Sequence, residues 1–244
     1  MTVVIVGLIV GSFLNVVAWR SLRDMSIIFP PSHCPSCKHR LSPLDLIPVL
    51  SYLYLRGKCR YCETNISALY PLAEIITAIL LYWSYKKIGL SLELVPISFL
   101  MMLLVISVLT DLRKMLILDK VTLPFTVVFL LLRTFIGEEP FFYYVLGGMI
   151  GFTLLFVLSL ISKGGFGGGD VKLYLAIGVA LGPRYTVLSF TFATILGAIV
   201  AVSLLIFRKI EKKQPIPFAP FILFGTVVAY FYGDDFLTWY RDFF

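Results

Sequence analysis

Four cysteines and two aspartates carry most of the chemistry legible in this chain. The cysteines stand as Cys34-Pro-Ser-Cys37 and Cys59-Arg-Tyr-Cys62, with 21 residues between the pairs. Two such knuckles offer four thiolates, the number that tetrahedral zinc takes. A metal with all four positions filled by protein is structural rather than catalytic, and the surrounding segment depends on it for a core. Buried free thiols or a redox couple are the alternative. His33 and His39 flank the first knuckle and are expected as solvated neighbours, since the cysteines complete the ligand set.

The carboxylates are Asp111, in Thr110-Asp111-Leu112-Arg113, and Asp170, in Gly167-Gly168-Gly169-Asp170-Val171-Lys172. One ends an apolar run and the other begins one, and acids beside hydrocarbon are rare without a function. Two carboxyls held close in a low dielectric share one proton. One can then act as base toward water while the other donates to a scissile carbonyl oxygen. Structural roles compete: Asp111 could pair with Arg113 or Lys114, and Asp170 could cap the helix it precedes. Glycine fills five of the six positions 164–169, more than a cap requires. Such a run lets another backbone approach closely, or lets the segment move. Asp119 is expected to cap the helix after it. Glu74 is expected to make a hydrogen bond inside the bundle, and Arg133 to snorkel or to pair with an acid. Glu138, Glu139, Asp234 and Asp235 read as solvated.

The elements that position these groups are membrane spans. Of 244 residues, 59% are hydrophobic and 14% charged, and the mean hydropathy is +0.94. Soluble domains carry about a quarter charged residues, so a water-soluble enzyme is excluded. Seven apolar runs are clear, at residues 2–18, 72–85, 94–110, 121–136, 141–161, 185–207 and 218–232. An eighth, at residues 171–181, would rise about 16 Å against a hydrocarbon core of about 30 Å. It must therefore extend into its flanks or begin at depth in a protein-lined cavity. No basic residue precedes the first run, and Arg20 and Arg23 follow it, which places the N-terminus outside. With eight spans, sixteen Lys and Arg fall on the inner side, Lys163, Arg208, Lys209, Lys212 and Lys213 among them. Only Lys86, Lys87, Arg184 and Arg241 fall outside. The net charge of +7 thus belongs to loops held at the cytoplasmic side, not to a nucleic-acid partner. The expected fold is an all-α polytopic membrane protein of about eight transmembrane helices. A cytoplasmic four-cysteine zinc loop follows the first helix, giving segments at residues 1–19, 20–71 and 72–244.

Further short motifs accompany these. They are Gly11-Ser12-Phe13-Leu14-Asn15-Val16-Val17 followed by Arg20, Leu55-Arg56-Gly57-Lys58-Cys59-Arg60, Tyr70-Pro71-Leu72-Ala73-Glu74, and Pro217-Phe218-Ala219-Pro220-Phe221. Taken in order with the cysteine loop and the two aspartate motifs, they make the chain resemble type IV prepilin peptidases, membrane aspartic enzymes of the GxGD class. The resemblance implies cleavage of a short basic leader from type IV prepilin or pseudopilin precursors, at the cytoplasmic face of the bacterial inner membrane. It makes Asp111 and Asp170 the catalytic pair and Gly167 and Gly169 part of the active-site loop. It also implies methylation of the new N-terminal amine with S-adenosylmethionine, in members that carry the four-cysteine loop. A peptidase-only member is the nearest alternative, and no Rossmann-type fingerprint marks a donor site. A metalloprotease would need HExxH or an open metal site, and the chain has two histidines. A serine–lysine peptidase at Ser162-Lys163 leaves the glycine run unexplained. An ion-coupled transporter would use the broken helix and its acids differently.

Overall fold

The computed structural model describes residues 1–162, 165–207 and 215–243. Gly164 of the glycine run and the basic residues Lys163, Arg208, Lys209, Lys212 and Lys213 lie outside the described residues. So does the lysine of the serine–lysine reading.

The described residues form helices and no strand. In chain order they are α1 (Thr2–Ser21), a 3-10 turn (Pro43–Leu46), α2 (Leu50–Tyr54), α3 (Leu69–Ile88), α4 (Leu94–Lys114), α5 (Asp119–Phe135), α6 (Phe141–Ile161), α7 (Gly168–Leu181), α8 (Pro183–Ile206) and α9 (Ala219–Phe243). Each of the eight apolar runs is thus a helix. Five of them, α1, α4, α6, α8 and α9, are long and apolar enough to cross a membrane. The others are α5 and α7, with 17 and 14 residues, and α3, whose 20 residues include Glu74, Lys86 and Lys87. One boundary differs in consequence: α9 runs on to Phe243, so Asp234 and Asp235 are helical. Asp234 accepts the Tyr185 hydroxyl at 2.8 Å and pairs with Arg184 at 2.7 Å, while its side chain stays 61% exposed, as expected for a solvated acid.

The chain divides into two compact units, Met1–Leu94 and Val95–Phe244. In the first, α1 packs along α3. A Cβ on Gly7 would lie 2.6 Å from the Ala78 Cα, and one on Gly11 would lie 2.7 Å from the Glu74 Cα. Asn15 Nδ2 donates to the Tyr70 carbonyl at 3.1 Å, fixing the register. At the end of α1 the buried Arg20 donates to the carbonyls of Ser26 (2.9 Å), Ile27 (3.1 Å) and Pro30, and so turns the chain into the cysteine loop.

In the second unit α7 is the innermost helix. Leu173, Tyr174, Ala176, Ile177 and Ala180 have no exposed surface, and α5, α6 and α8 pack around them. Contact with α6 is made backbone to backbone: any side chain at Gly147 would strike the Gly178 carbonyl, and one at Gly178 would strike Gly147. A helix enclosed by protein does not need membrane length, which is how 14 residues rising about 21 Å suffice. Its C-terminus is held by Arg133. This buried guanidinium donates through Nε to the Ala180 carbonyl at 2.9 Å and through Nη1 to the Ile136 carbonyl at 3.3 Å. It also lies 4.4 Å from the centre of the Tyr144 ring. Instead of snorkelling, it caps the negative end of a helix dipole.

Candidate functional site

Each unit holds one of the two clusters. In the first, both knuckles fold the same way. The residue after the second cysteine takes a left-handed backbone, Lys38 at φ +62° and Glu63 at φ +55°. The N–H groups of Lys38 and Glu63 donate to the carbonyls of Cys34 and Cys59, each at 3.0 Å. Those of Cys34 and Cys59 return to His39 and Thr64 at 3.0 and 2.9 Å. The bridges His33↔Arg40 and Lys58↔Asn65 close the two loops.

The turns bring the four sulfurs within 4.8 Å of one another, with Cys34 and Cys62 at 3.8 Å. Zinc–sulfur bonds of about 2.3 Å arranged tetrahedrally place sulfurs ~3.8 Å apart, so the cluster can hold such an ion. The crowding also splits the thiols' acidities. Hydrogen bonds from Thr64 lower the Cys62 thiol to about 6. At Cys37 the pull of a backbone bond at His39 is outweighed by burial and by the Cys62 and Cys34 sulfurs, and the thiol rises to about 11. Crowded thiols do not all ionise together without a cation among them. The histidines are occupied elsewhere. The His39 ring lies 3.7 Å from that of Tyr61, and His33 Nδ1 is 3.0 Å from the Pro31 carbonyl.

Asp45 ties the second knuckle to the 3-10 turn. It receives Arg60 Nε at 2.6 Å, the Tyr61 hydroxyl at 3.3 Å, and the Ser42 N–H and hydroxyl at 3.0 and 2.8 Å. Burial alone would raise this carboxyl, but the bonds from Arg60 and Ser42 outweigh it and hold the group below its ordinary value.

In the second unit Asp111 sits at the end of α4, 6% exposed. Its Oδ2 accepts the Ala219 N–H at 2.8 Å, and the Phe218 N–H also reaches it. These amides open α9, so the carboxylate docks on the positive end of a helix. Asp170 is the third residue of α7, not its cap; Gly167 occupies the cap position. The Asp170 carboxylate folds back to accept the Gly167 N–H at 2.9 Å. It is half-buried and within electrostatic reach of Asp111.

The glycines around Asp170 are not equivalent. A Cβ on Gly169 would lie 2.8 Å from both the Cβ and the carbonyl oxygen of Ile117, in the α4–α5 connection. One on Gly168 meets nothing within 4 Å, and one on Gly167 meets the Asp170 carboxylate at 3.3 Å. The start of α5 engages α7 as well. Asp119 is the first residue of α5, whose cap is Leu118, and it pairs with Lys172 rather than capping. The residue types did not announce the Phe218 and Ala219 amides, Ile117 or Lys172 as neighbours of the acids. The Pro-Phe-Ala-Pro motif was the only signal for the first two.

Family comparison covers both units. Residues 5–88 match a model described as the bacterial peptidase A24 N-terminal domain, and residues 98–202 match the type IV leader peptidase family. A prepilin leader peptidase/N-methyltransferase of Bacillus subtilis is 39% identical over 236 residues, covering 97% of this chain and 95% of that one. Proteins of the same description from Aeromonas salmonicida and Pseudomonas aeruginosa are 35% and 30% identical. They cover 88% and 98% of this chain, and 76% and 92% of their own lengths. No solved structure matches the chain. With a four-sulfur cluster in one unit, acids at the end of α4 and the start of α7 in the other, and relatives matched nearly end to end, this chain belongs to the type IV leader peptidase family.

Proposed function

We propose that this protein cleaves the leader from type IV prepilin or pseudopilin precursors with Asp111 and Asp170, and methylates the N-terminus so exposed. The observation that supports the peptidase reading is a pair of carboxyls, one buried and one half-buried, within electrostatic reach of each other in one helical unit. Like charges in a low dielectric share a proton. The ionised carboxyl takes a proton from water as that water attacks the scissile carbonyl. The protonated partner donates to the carbonyl oxygen. The first carboxyl passes the water's proton to the scissile nitrogen, the oxygen's proton returns to the partner, and collapse of the tetrahedral intermediate releases the amine of the mature N-terminus and the carboxyl end of the leader. The Phe218 and Ala219 amides fix Asp111, and the Gly167 N–H fixes Asp170, so neither needs to reorganise during the reaction.

Cys34, Cys37, Cys59 and Cys62 would hold a structural zinc ion, supplying the cysteine loop with a core its apolar residues do not provide. S-adenosylmethionine is the methyl donor that accompanies this reading. The chain lies in the bacterial inner membrane with its N-terminus outside and Asp111 and Asp170 toward the cytoplasm, where leader junctions wait. The segment at residues 20–71 serves methylation and the helices beyond it serve cleavage.

Mass spectrometry of a prepilin substrate incubated with the purified protein, with and without S-adenosylmethionine, tests both halves. The expected product lacks its leader in both samples and gains one methyl group only with the donor. Asp111→Asn and Asp170→Asn should each abolish cleavage while leaving membrane insertion intact. Continued processing by either variant would refute the assignment.

A further inference from the structure

The cysteine loop contains a short segment whose exposed side chains do not suit water. Across the 3-10 turn and α2, Leu44 (66%), Leu50 (65%), Leu53 (64%) and Tyr54 (79%) are all largely exposed. What covers them follows from where the segment is anchored. The Val49 N–H, just before α2, donates to the Glu74 carboxylate at 2.7 Å. Glu74 is itself buried, bonded to Ser12, and packed against Gly11 of α1.

Those α1 residues lie well inside the membrane helix. The apolar stretch of α1 continues from Ser12 to Ala18, six residues or about 9 Å further along, before Arg20 is reached. Val49 is therefore tied at a level below the point where α1 leaves the hydrocarbon. Backbone that is not helical survives at such depth only if its polar groups find partners in the protein, and Glu74 supplies one to the Val49 N–H. Val49 also adopts φ +61°, a left-handed backbone that a β-branched residue takes only when its surroundings impose it. On leaving α2 the chain carries exposed Arg56 and Lys58, which suit anionic lipid headgroups.

We propose that residues 46–54 form a re-entrant segment that lies in the lipid leaflet from which the loop emerges, with α2 in direct contact with acyl chains and Leu44 at the leaflet's edge. The cysteine loop is then a membrane-seated structure, pinned through Glu74, rather than a domain standing in water. The partner of this face is the bilayer itself.

The test uses the full chain in phospholipid vesicles. Trp19→Phe, Trp83→Phe and Trp239→Phe remove the native indoles, and Tyr54→Trp supplies a single reporter. Leu53→Trp serves as a second reporter should the first disturb folding. In vesicles of acyl-brominated lipid the reporter should lose most of its emission, while aqueous iodide should leave it unchanged. Quenching by iodide but not by brominated lipid would overturn the proposal in favour of a solvated loop. Shielding from both quenchers would overturn it in favour of a protein partner, such as a second copy of the chain.

Discussion

Adding one methyl group at Gly169 tests whether close packing of α7 against the α4–α5 connection sets the position of Asp170. An alanine Cβ there would lie 2.8 Å from the Cβ and carbonyl oxygen of Ile117, where ordinary contact begins at 3.4 Å. The start of α7 must move by about 0.6 Å, since the carbonyl is backbone and cannot rotate aside. Overpacking of this kind costs about 1–3 kcal/mol, offset by about 0.4–1 kcal/mol from the smaller entropy of the unfolded chain. The net destabilisation is about 1 kcal/mol, which a membrane bundle tolerates. Activity is more sensitive, because displacing a catalytic group by 1 Å lowers rates by on the order of 100-fold. Gly169→Ala should therefore lower the turnover number for a prepilin substrate by about 10- to 100-fold, with melting temperature and insertion little changed. Gly168→Ala, whose Cβ meets nothing within 4 Å, is the control and should cleave at the original rate. Both rates follow from gel-resolved cleavage in vesicles, alongside thermal unfolding. Wild-type turnover by Gly169→Ala, or equal loss in both variants, would refute the reasoning.

Other substitutions probe the supports around the pair and the cluster. Removing either partner of Asp119–Lys172 should reduce cleavage several-fold at a stability cost of only about 0.2–1 kcal/mol, because the pair is exposed. The charge-swapped Asp119→Lys/Lys172→Asp chain should recover, read as a double-mutant cycle. Arg133→Met strips the buried Ala180 carbonyl and the part-buried Ile136 carbonyl of a donor and should cost about 1–3 kcal/mol. Arg133→Lys should restore only part of this, since a lysine cannot reproduce the guanidinium fork. Metal analysis should find zinc in the intact chain and none in Cys34→Ser or Cys59→Ser. Stripping it should open the cysteine loop to proteases before hydrolysis is affected. The Asp45 carboxyl titrates lower folded than unfolded, so its stabilisation is complete above the unfolded value and disappears as pH falls through the folded one. Asp45→Asn should accordingly lower the melting temperature at neutral pH, with the difference from wild type vanishing in acid.

Much of this protein is local and could be read along the chain. Eight apolar runs became eight helices because hydrophobic length is a property of a segment, whatever it packs against. The two CxxC pairs folded into matching turns that gather four sulfurs, as their spacing predicts. Choice of partner was not legible. Aspartate suits both the cap and the first turn of a helix, so its type could not tell a capping Asp119 from one that reaches Lys172, 53 residues away. The same holds for Asp111, whose adjacent Arg113 and Lys114 were plausible partners, yet whose observed donor is the Ala219 amide, 108 residues on. Residue types announce that a carboxylate needs donors; packing decides which ones arrive. Tertiary structure also settled how a 14-residue helix can serve in a membrane protein. Glycine against glycine lets α6 and α7 touch along their backbones, and that contact depends on two faces meeting, which neither helix encodes alone.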